Sequence, residues 1–396
     1  MVVYLDHAAT TPMLPEAIEA FTGALRLVGN PSSIHSHGQN AKRMLEEARE
    51  KVAVSLGCDP VEVVFTSGGT EAINLAVKGL YWARNASVDR PRRRILVPRG
   101  EHHATVDTVE WLEHSEDAIV HWLPIDARGR IEMPALRESL HSHDDIALIT
   151  LLWANNEVGT VQPVADVVAL AAEYGIPVHA DAVCAYGQLP IDFGASGLAA
   201  LSVSAHKIGG PVGIGALALA RSATVVPLIH GGGQQRQVRS GTQDAPAAVS
   251  FAVAAAAVLA NQDAEAARLK RLRDRLIAGV RAAVPNAELR GDPVDRLPGN
   301  AHFTFPGCEG DSLLFLLDAA GISVSTGSAC QAGIPEASHV LLGMGLTDAD
   351  ARGALRFTLG HTSTDADVDA LLAALPSAYA RAASAGYADR EVTLGH

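Results

Sequence analysis

The chain has 396 residues, 48% hydrophobic and 19% charged, a balance ordinary for a globular protein and too apolar for a disordered one. With 44 acidic residues against 31 basic ones the net charge is −13, which leaves no electrostatic footprint for nucleic acid or an anionic membrane surface. The four cysteines, Cys58, Cys184, Cys308 and Cys330, show no CxxC or other ligand spacing, so they predict free thiols rather than a disulfide framework or a zinc site.

The first residues, Met1 to His7, lack the basic start and apolar stretch of a secretory signal, and the expectation is a cytosolic protein. From about 61 to 220, short β-branched runs alternate with amphipathic stretches: VEVVF, TEAINLAVKGLYWA, RILVP, IVHWLP, IALITLLW, a helical pattern over 164–174, then PVHADA. This alternation predicts an α/β fold with a mostly parallel sheet covered by helices, and ligands at the carboxyl ends of its strands. The basic cluster Arg90 to Arg94 encloses Pro91 and reads as a solvated loop. An Ala-rich helical pattern follows Pro246 and runs to about 284. Its apolar stretch is shorter than the ~20 residues a spanning helix needs, so it reads as a buried or interdomain helix. Beyond it, a strand-like 301–305 and a helical 311–320 predict a smaller α/β domain, and the tail after Pro376 is expected to fray.

Chemistry concentrates at a few points. After VEVVF and Thr66 comes Ser67-Gly68-Gly69-Thr70-Glu71 and then a helix, where glycines let backbone approach an anion and hydroxyls and N–H groups face it. A plain helix cap uses the same residues, and the GK[ST] of a nucleotide P-loop is missing. The discriminating pair is Asp181, ending PVHADA, and Lys207 in SVSAHK. A pyridoxal-phosphate site needs a lysine for the Schiff base, a carboxylate for the pyridine nitrogen and a phosphate cup, and candidates for all three stand at successive strand ends. Cys330 lies in the small-residue run STGSACQAG, 325–333, whose composition predicts a mobile loop in which the thiol can be presented. Cys58 and Cys308 read as inert.

Motifs quoted in order along nearly the whole chain resemble cysteine desulfurases of the NifS/IscS type, in the class V aminotransferase superfamily. They are YLDHAATTP at 4–12, GNPSSIHSHG at 29–38, VFTSGGTEAINLAVKG at 64–79, EHHA at 101–104, WANNEVGT at 153–160, HADA at 179–182, SAHKIGGPVGIGAL at 204–217, HGGGQQRQVRSGT at 230–242, STGSAC at 325–330 and LRFTLGHTST at 355–364. The resemblance implies a pyridoxal-phosphate-dependent transferase of fold type I. Its large domain, 15–260, would hold a sheet of seven strands, and a small domain would join 1–14 to 261–396. It implies that Lys207 is the Schiff-base lysine, Asp181 the partner of the pyridinium nitrogen, and Gly69, Thr70, Ser204 and His206 the phosphate cup. Thr242 would reach the cofactor phosphate of a neighbouring subunit, which implies a homodimer. His102 resembles the histidine that stacks on the cofactor and moves protons, with His103 beside it structural. Asn156 and Arg356 resemble the residues that receive the substrate carboxylate, for which a guanidinium fork suits better than an ammonium. Position 184 departs from the resemblance: Cys184 stands where a glutamine is usual.

The implied activity is conversion of L-cysteine to L-alanine with the sulfur held as a persulfide on Cys330. The sulfur would pass to an acceptor protein for iron–sulfur cluster biogenesis, tRNA thiolation or other biosynthesis. A selenocysteine lyase, another class V enzyme, and a scaffold paralogue with decayed chemistry are the alternatives. The small-residue loop with Cys330 argues against an aminotransferase, and retention of Lys207, Asp181, His102, Arg356 and Cys330 argues against decay.

Overall fold

The computed structural model describes residues 2–86, 88–327 and 337–388. Its strands are β1 (Val3–Tyr4), β2 (Val63–Thr66), β3 (Arg94–Pro98), β4 (Ile119–Leu123), β5 (Ile146–Leu152), β6 (Val178–Asp181), β7 (Ala200–Ser204), β8 (Gly215–Leu219), β9 (Glu288–Arg290), β10 (Asn300–Thr304), β11 (Ile322–Ser323) and β12 (Ala354–Thr358). Seven of them form one sheet in the order β2-β8-β7-β6-β5-β3-β4. Only β8 runs against its neighbours, so the mostly parallel α/β architecture expected from the alternating pattern is present.

The apolar runs explain why this sheet is central. Every residue of β2, β5, β6, β7 and β8 is buried, as a parallel sheet with helices on both faces requires. One face packs on helices Ser36–Leu56 and Ala245–Ala283 through Leu45, Val52, Phe65 and Phe251. The other packs on Gly69–Asn85 and His103–Glu116 through Ile73, Leu80, Val109 and Leu112. A second core surrounds the three-stranded sheet β12-β10-β9 and contains Phe303, Phe305 and Phe357.

Helix Ala245–Ala283 joins the two cores. Asp244 caps it by accepting from Ala247 N at 2.9 Å, and Pro246 sits in the first turn, where a missing N–H costs nothing. Its first half buries Ala248, Phe251 and Ala255 in the first core and its second half buries Leu269, Leu272 and Leu276 in the second. Among the described residues the chain does not fray after Pro376 as expected, because helix Asp365–Ala388 runs through that proline. Burial of Leu371, Leu375, Ala378 and Ala382 against the second core offsets the bond that proline removes.

Candidate active site

All the parallel strands and β2 end on one edge, and the residues singled out in the sequence emerge there. The turn after β2 enters helix Gly69–Asn85, the turn after β3 carries Glu101 and His102, and the turn after β5 carries Asn155 and Asn156. Asp181 ends β6, opposite Leu152 on β5 and Ser202 on β7. Ser204 ends β7, and a single 3-10 turn, Ala205–Lys207, delivers His206 and Lys207. Together they surround a cavity of about 420 Å³ lined by Gly69, Thr70, His102, Asn156, Asp181, Ser204, His206, Lys207 and Arg356.

At the helix end, Gly69 is required by space: a Cβ there would stand 2.6 Å from Val183 Cγ2. The first-turn N–H groups and the positive end of the helix therefore face the cavity unobstructed. Asp181 is 3% exposed, and Val183 N donates to its Oδ1 at 2.9 Å. Burial raises its carboxyl to about 6, with the Val183 bond and the Lys207 charge working against that rise. Lys207 Nζ donates to the carbonyl oxygens of Ala8 and, at 2.9 Å, Ala9, so the amine is held against the N-terminal segment. His206 Nδ1 lies 3.2 Å from Thr10 Oγ1, and burial with the nearby lysine pushes this imidazole down to about 4.

His102 faces the open cavity at the start of helix His103–Glu116, and its Nδ1 accepts from Ala104 N at 3.0 Å. That bond fixes Nδ1 as the acceptor, which leaves Nε2 to carry the proton of the neutral ring. The surrounding protein, then the Lys207 charge, pushes the imidazole down to about 4, so it is neutral at physiological pH. His103 also lines the cavity, with its ring packed edge-on against His339 at 4.9 Å.

The opposite wall belongs to the second core. Arg356 on β12 is 5% exposed, donates from Nη1 to Asn156 O at 2.8 Å, and pairs through Nη2 with Asp6 Oδ1 at 2.8 Å. Its Nε and Asn156 Oδ1 are buried with no partner among the described residues, a donor and an acceptor left over beside the cavity.

Sequence reasoning missed several parts of this site. Glu101, 2% exposed, lines the cavity, accepts from Leu152 N at 2.9 Å, and is pushed well above the usual carboxylate range by burial. Asn155 ties two functional turns together: its Nδ2 donates to Gly100 O at 2.8 Å, and its Oδ1 accepts from Glu157 N and Val158 N at 2.9 Å. Asp6 and Glu157 sit inside motifs that were recognised without a role for either. Thr242 is exposed and does not line the cavity. Cys330 lies outside the described residues, which approach it only as far as Gly327 and Ala337.

The sequence profile of the family described as "Aminotransferase class-V" matches residues 3–371. An "IscS-like cysteine desulfurase" of Mycobacterium tuberculosis is 57% identical over 387 residues, covering 97% of this chain and 98% of the relative. The chain belongs to the cysteine desulfurases of the class V aminotransferase family. Among solved structures, a NifS-like protein superposes with a TM-score of 0.89 at 33% identity, over 96% of this chain and 100% of that one. A chain described as "SspA in complex with cysteine" has a TM-score of 0.77 at 33% identity, over 90% of this chain and 98% of that one. The expected family, fold type and enzyme class are therefore those of the chain's relatives.

Proposed function

We propose that this desulfurase uses pyridoxal phosphate to take sulfur from L-cysteine, holds it as a persulfide on Cys330 and releases L-alanine. One observation carries the reading. A lysine amine, a buried carboxyl, an open helix N-terminus and an arginine with a free buried donor converge on a single cavity. This donor set fits pyridoxal phosphate: Lys207 would hold it, Asp181 would face the ring nitrogen, and Gly69, Thr70, Ser204 and His206 would receive the phosphate. When bound, the cofactor supplies the electron sink that makes the substrate's α-proton removable.

The chain's own residues then have defined tasks. Arg356, oriented by Asp6 and the Asn156 carbonyl, presents its unpartnered Nε edge to the substrate carboxylate, with Asn156 beside it. Lys207 Nζ and the neutral His102 ring are the candidate carriers for the α-proton. In the sulfur step the Cys330 thiolate bonds to the substrate sulfur while the carbon–sulfur bond breaks. Its electron pair and one proton end on the carbon that becomes the alanine methyl, so L-cysteine and a thiol give L-alanine and a persulfide. Thr242 is exposed and does not line this cavity, and it would serve the cavity of a second copy in the homodimer that the resemblance implies. An acceptor protein then takes the sulfur.

The test is purification with pyridoxal phosphate, addition of L-cysteine and a thiol reductant, and measurement of sulfide and alanine for wild type, Cys330→Ala and Lys207→Ala. Equal amounts of both products from wild type and none from either variant are expected. Full sulfide release by Cys330→Ala would overturn the persulfide assignment. A strong preference for L-selenocysteine in the same assay would move the reading to a selenocysteine lyase.

A further inference from the structure

One chain end that flanks the Cys330 segment is bonded to a buried acid, and the other passes close to it. Glu157 is 3% exposed, and Ser338 Oγ donates to its Oε2 at 2.5 Å. Ser338 is itself 2% exposed and caps helix His339–Gly343 by accepting from Leu341 N at 3.2 Å. On the other side Gly327 has a φ of +89°, and a Cβ built on it would lie 3.6 Å from the same Glu157 Oε2. The bond to this oxygen is made by Ser338 alone, since the Gly327 N–H donates to Ser325 Oγ at 3.0 Å.

The backbone of Glu157 is held from both halves of the site. Its N–H donates to Asn155 Oδ1 and its carbonyl accepts from Asn300 Nδ2, each at 2.9 Å. Asn300 accepts in turn from the buried Arg296 at 3.2 Å, and the preceding carbonyl, of Asn156, receives Arg356. A buried acid left without a partner is costly, so the bond between Ser338 and Glu157 is a junction the fold keeps.

We propose that Glu157 is a positioning residue for sulfur transfer: by holding Ser338 it fixes one end of the segment from which the Cys330 thiol reaches the substrate sulfur. This rests on the function proposed above. It separates two events, because substrate capture depends on Arg356 and Asn156, whereas the reach of the thiol depends on the junction.

The experiment measures single-turnover persulfide formation on Cys330 in Glu157→Ala, Glu157→Gln and Ser338→Ala. L-cysteine affinity is measured spectroscopically with each change combined with Cys330→Ala to block turnover. Iodoacetamide labelling of Cys330 in the cofactor-free protein is the readout independent of activity. Persulfide formation is expected to fall about tenfold or more in the two alanine variants. Glutamine, which still accepts the serine hydroxyl, restores most of the rate, and affinity for L-cysteine stays within about twofold throughout. Labelling of Cys330 in the alanine variants changes by more than about threefold. Unchanged persulfide rates in both alanine variants, or an affinity loss that tracks the rate loss, overturn the proposal. Should Glu157→Ala fail to fold, Ser338→Ala decides alone. Should wild type form no persulfide, the functional reading fails, and an unchanged labelling rate would then sink the junction separately.

Discussion

The cavity has two sides built by different means. Its floor is the edge of the central sheet, where Asp181, Ser204 and Lys207 leave fully buried strands whose neighbours bond them on both sides. Its wall is β12, the N-terminal segment and the flanks of the Cys330 segment, which share backbone bonds such as Arg356 N to Ser325 O and Thr358 N to Leu5 O, both 2.7 Å, and are braced by side chains: Asp6 to Arg356, Glu157 to Ser338, and Tyr4, whose hydroxyl donates to the carbonyls of Asp6 and Thr10. A backbone ladder fixes where the floor's chemistry stands. The wall adds polar side-chain bonds between segments far apart in the chain, each removable by one substitution, so single changes there test the site without breaking the central sheet.

Acid is the strongest way to probe both sides together. His179 in the floor and His302 in the wall are fully buried and held down to about 3, and buried His7 to about 4, all chiefly by desolvation. Between those values and their ordinary 6.5 the unfolded chain binds protons that the folded chain refuses. Stability therefore rises with pH across that window, is fully present above it, and is lost as pH falls. A midpoint of urea unfolding that declines steadily from pH 7 toward pH 4 is expected, and His302→Leu should make the decline shallower. A flat profile would break the argument.

Within the wall, the second core is the support. Phe303 is fully buried, with Phe305 and Phe357 at ring distances of 6.1 and 6.4 Å. Phe303→Ala should cost about 3–5 kcal/mol, read by denaturant unfolding. Asp6→Asn is milder and more local. Arg356 loses a charge-assisted partner worth about 1.5–3 kcal/mol, so KM for L-cysteine should rise about tenfold with less change in kcat. A fall in kcat at constant KM would instead place Asp6 in the chemical step.

The same division decides how much could be read in advance. The floor was legible because strand, turn and helix are local: apolar runs end at Asp181 and Ser204, and Gly69 opens a helix. Nearly every residue that the resemblance nominated lines the cavity. The wall was not legible in the same way. Asp6 and Arg356 are 350 positions apart, and Glu157 and Ser338 are 181 apart, so no periodicity or spacing pairs them. Asn155 was hidden for another reason, because two adjacent asparagines look alike in sequence and only their hydrogen bonds separate the one that braces turns from the one that faces the cavity. Thr242 belongs to neither side, since its proposed task lies in another copy of the chain.

Cys184 gives the smallest expected effect and a sharp control. It is a second thiol in the floor, lining the cavity with Lys207 and Asp181, so position alone would let it compete as the sulfur carrier. Its electrostatics oppose that role. Burial raises the thiol above its ordinary value, the Asp181 charge adds to the rise, and the Lys207 charge only partly counters it. The nucleophile is the thiolate, and a raised thiol holds little of it at pH 7–8. Cys58 and Cys308, pushed up to about 12 and about 11, are quieter still. Cys184→Ser should therefore leave single-turnover persulfide yield within about twofold of wild type, while mass spectrometry finds the extra sulfur at position 330 alone. Persulfide on Cys184, or a yield halved by its removal, would mean that sulfur passes through the floor before reaching the wall.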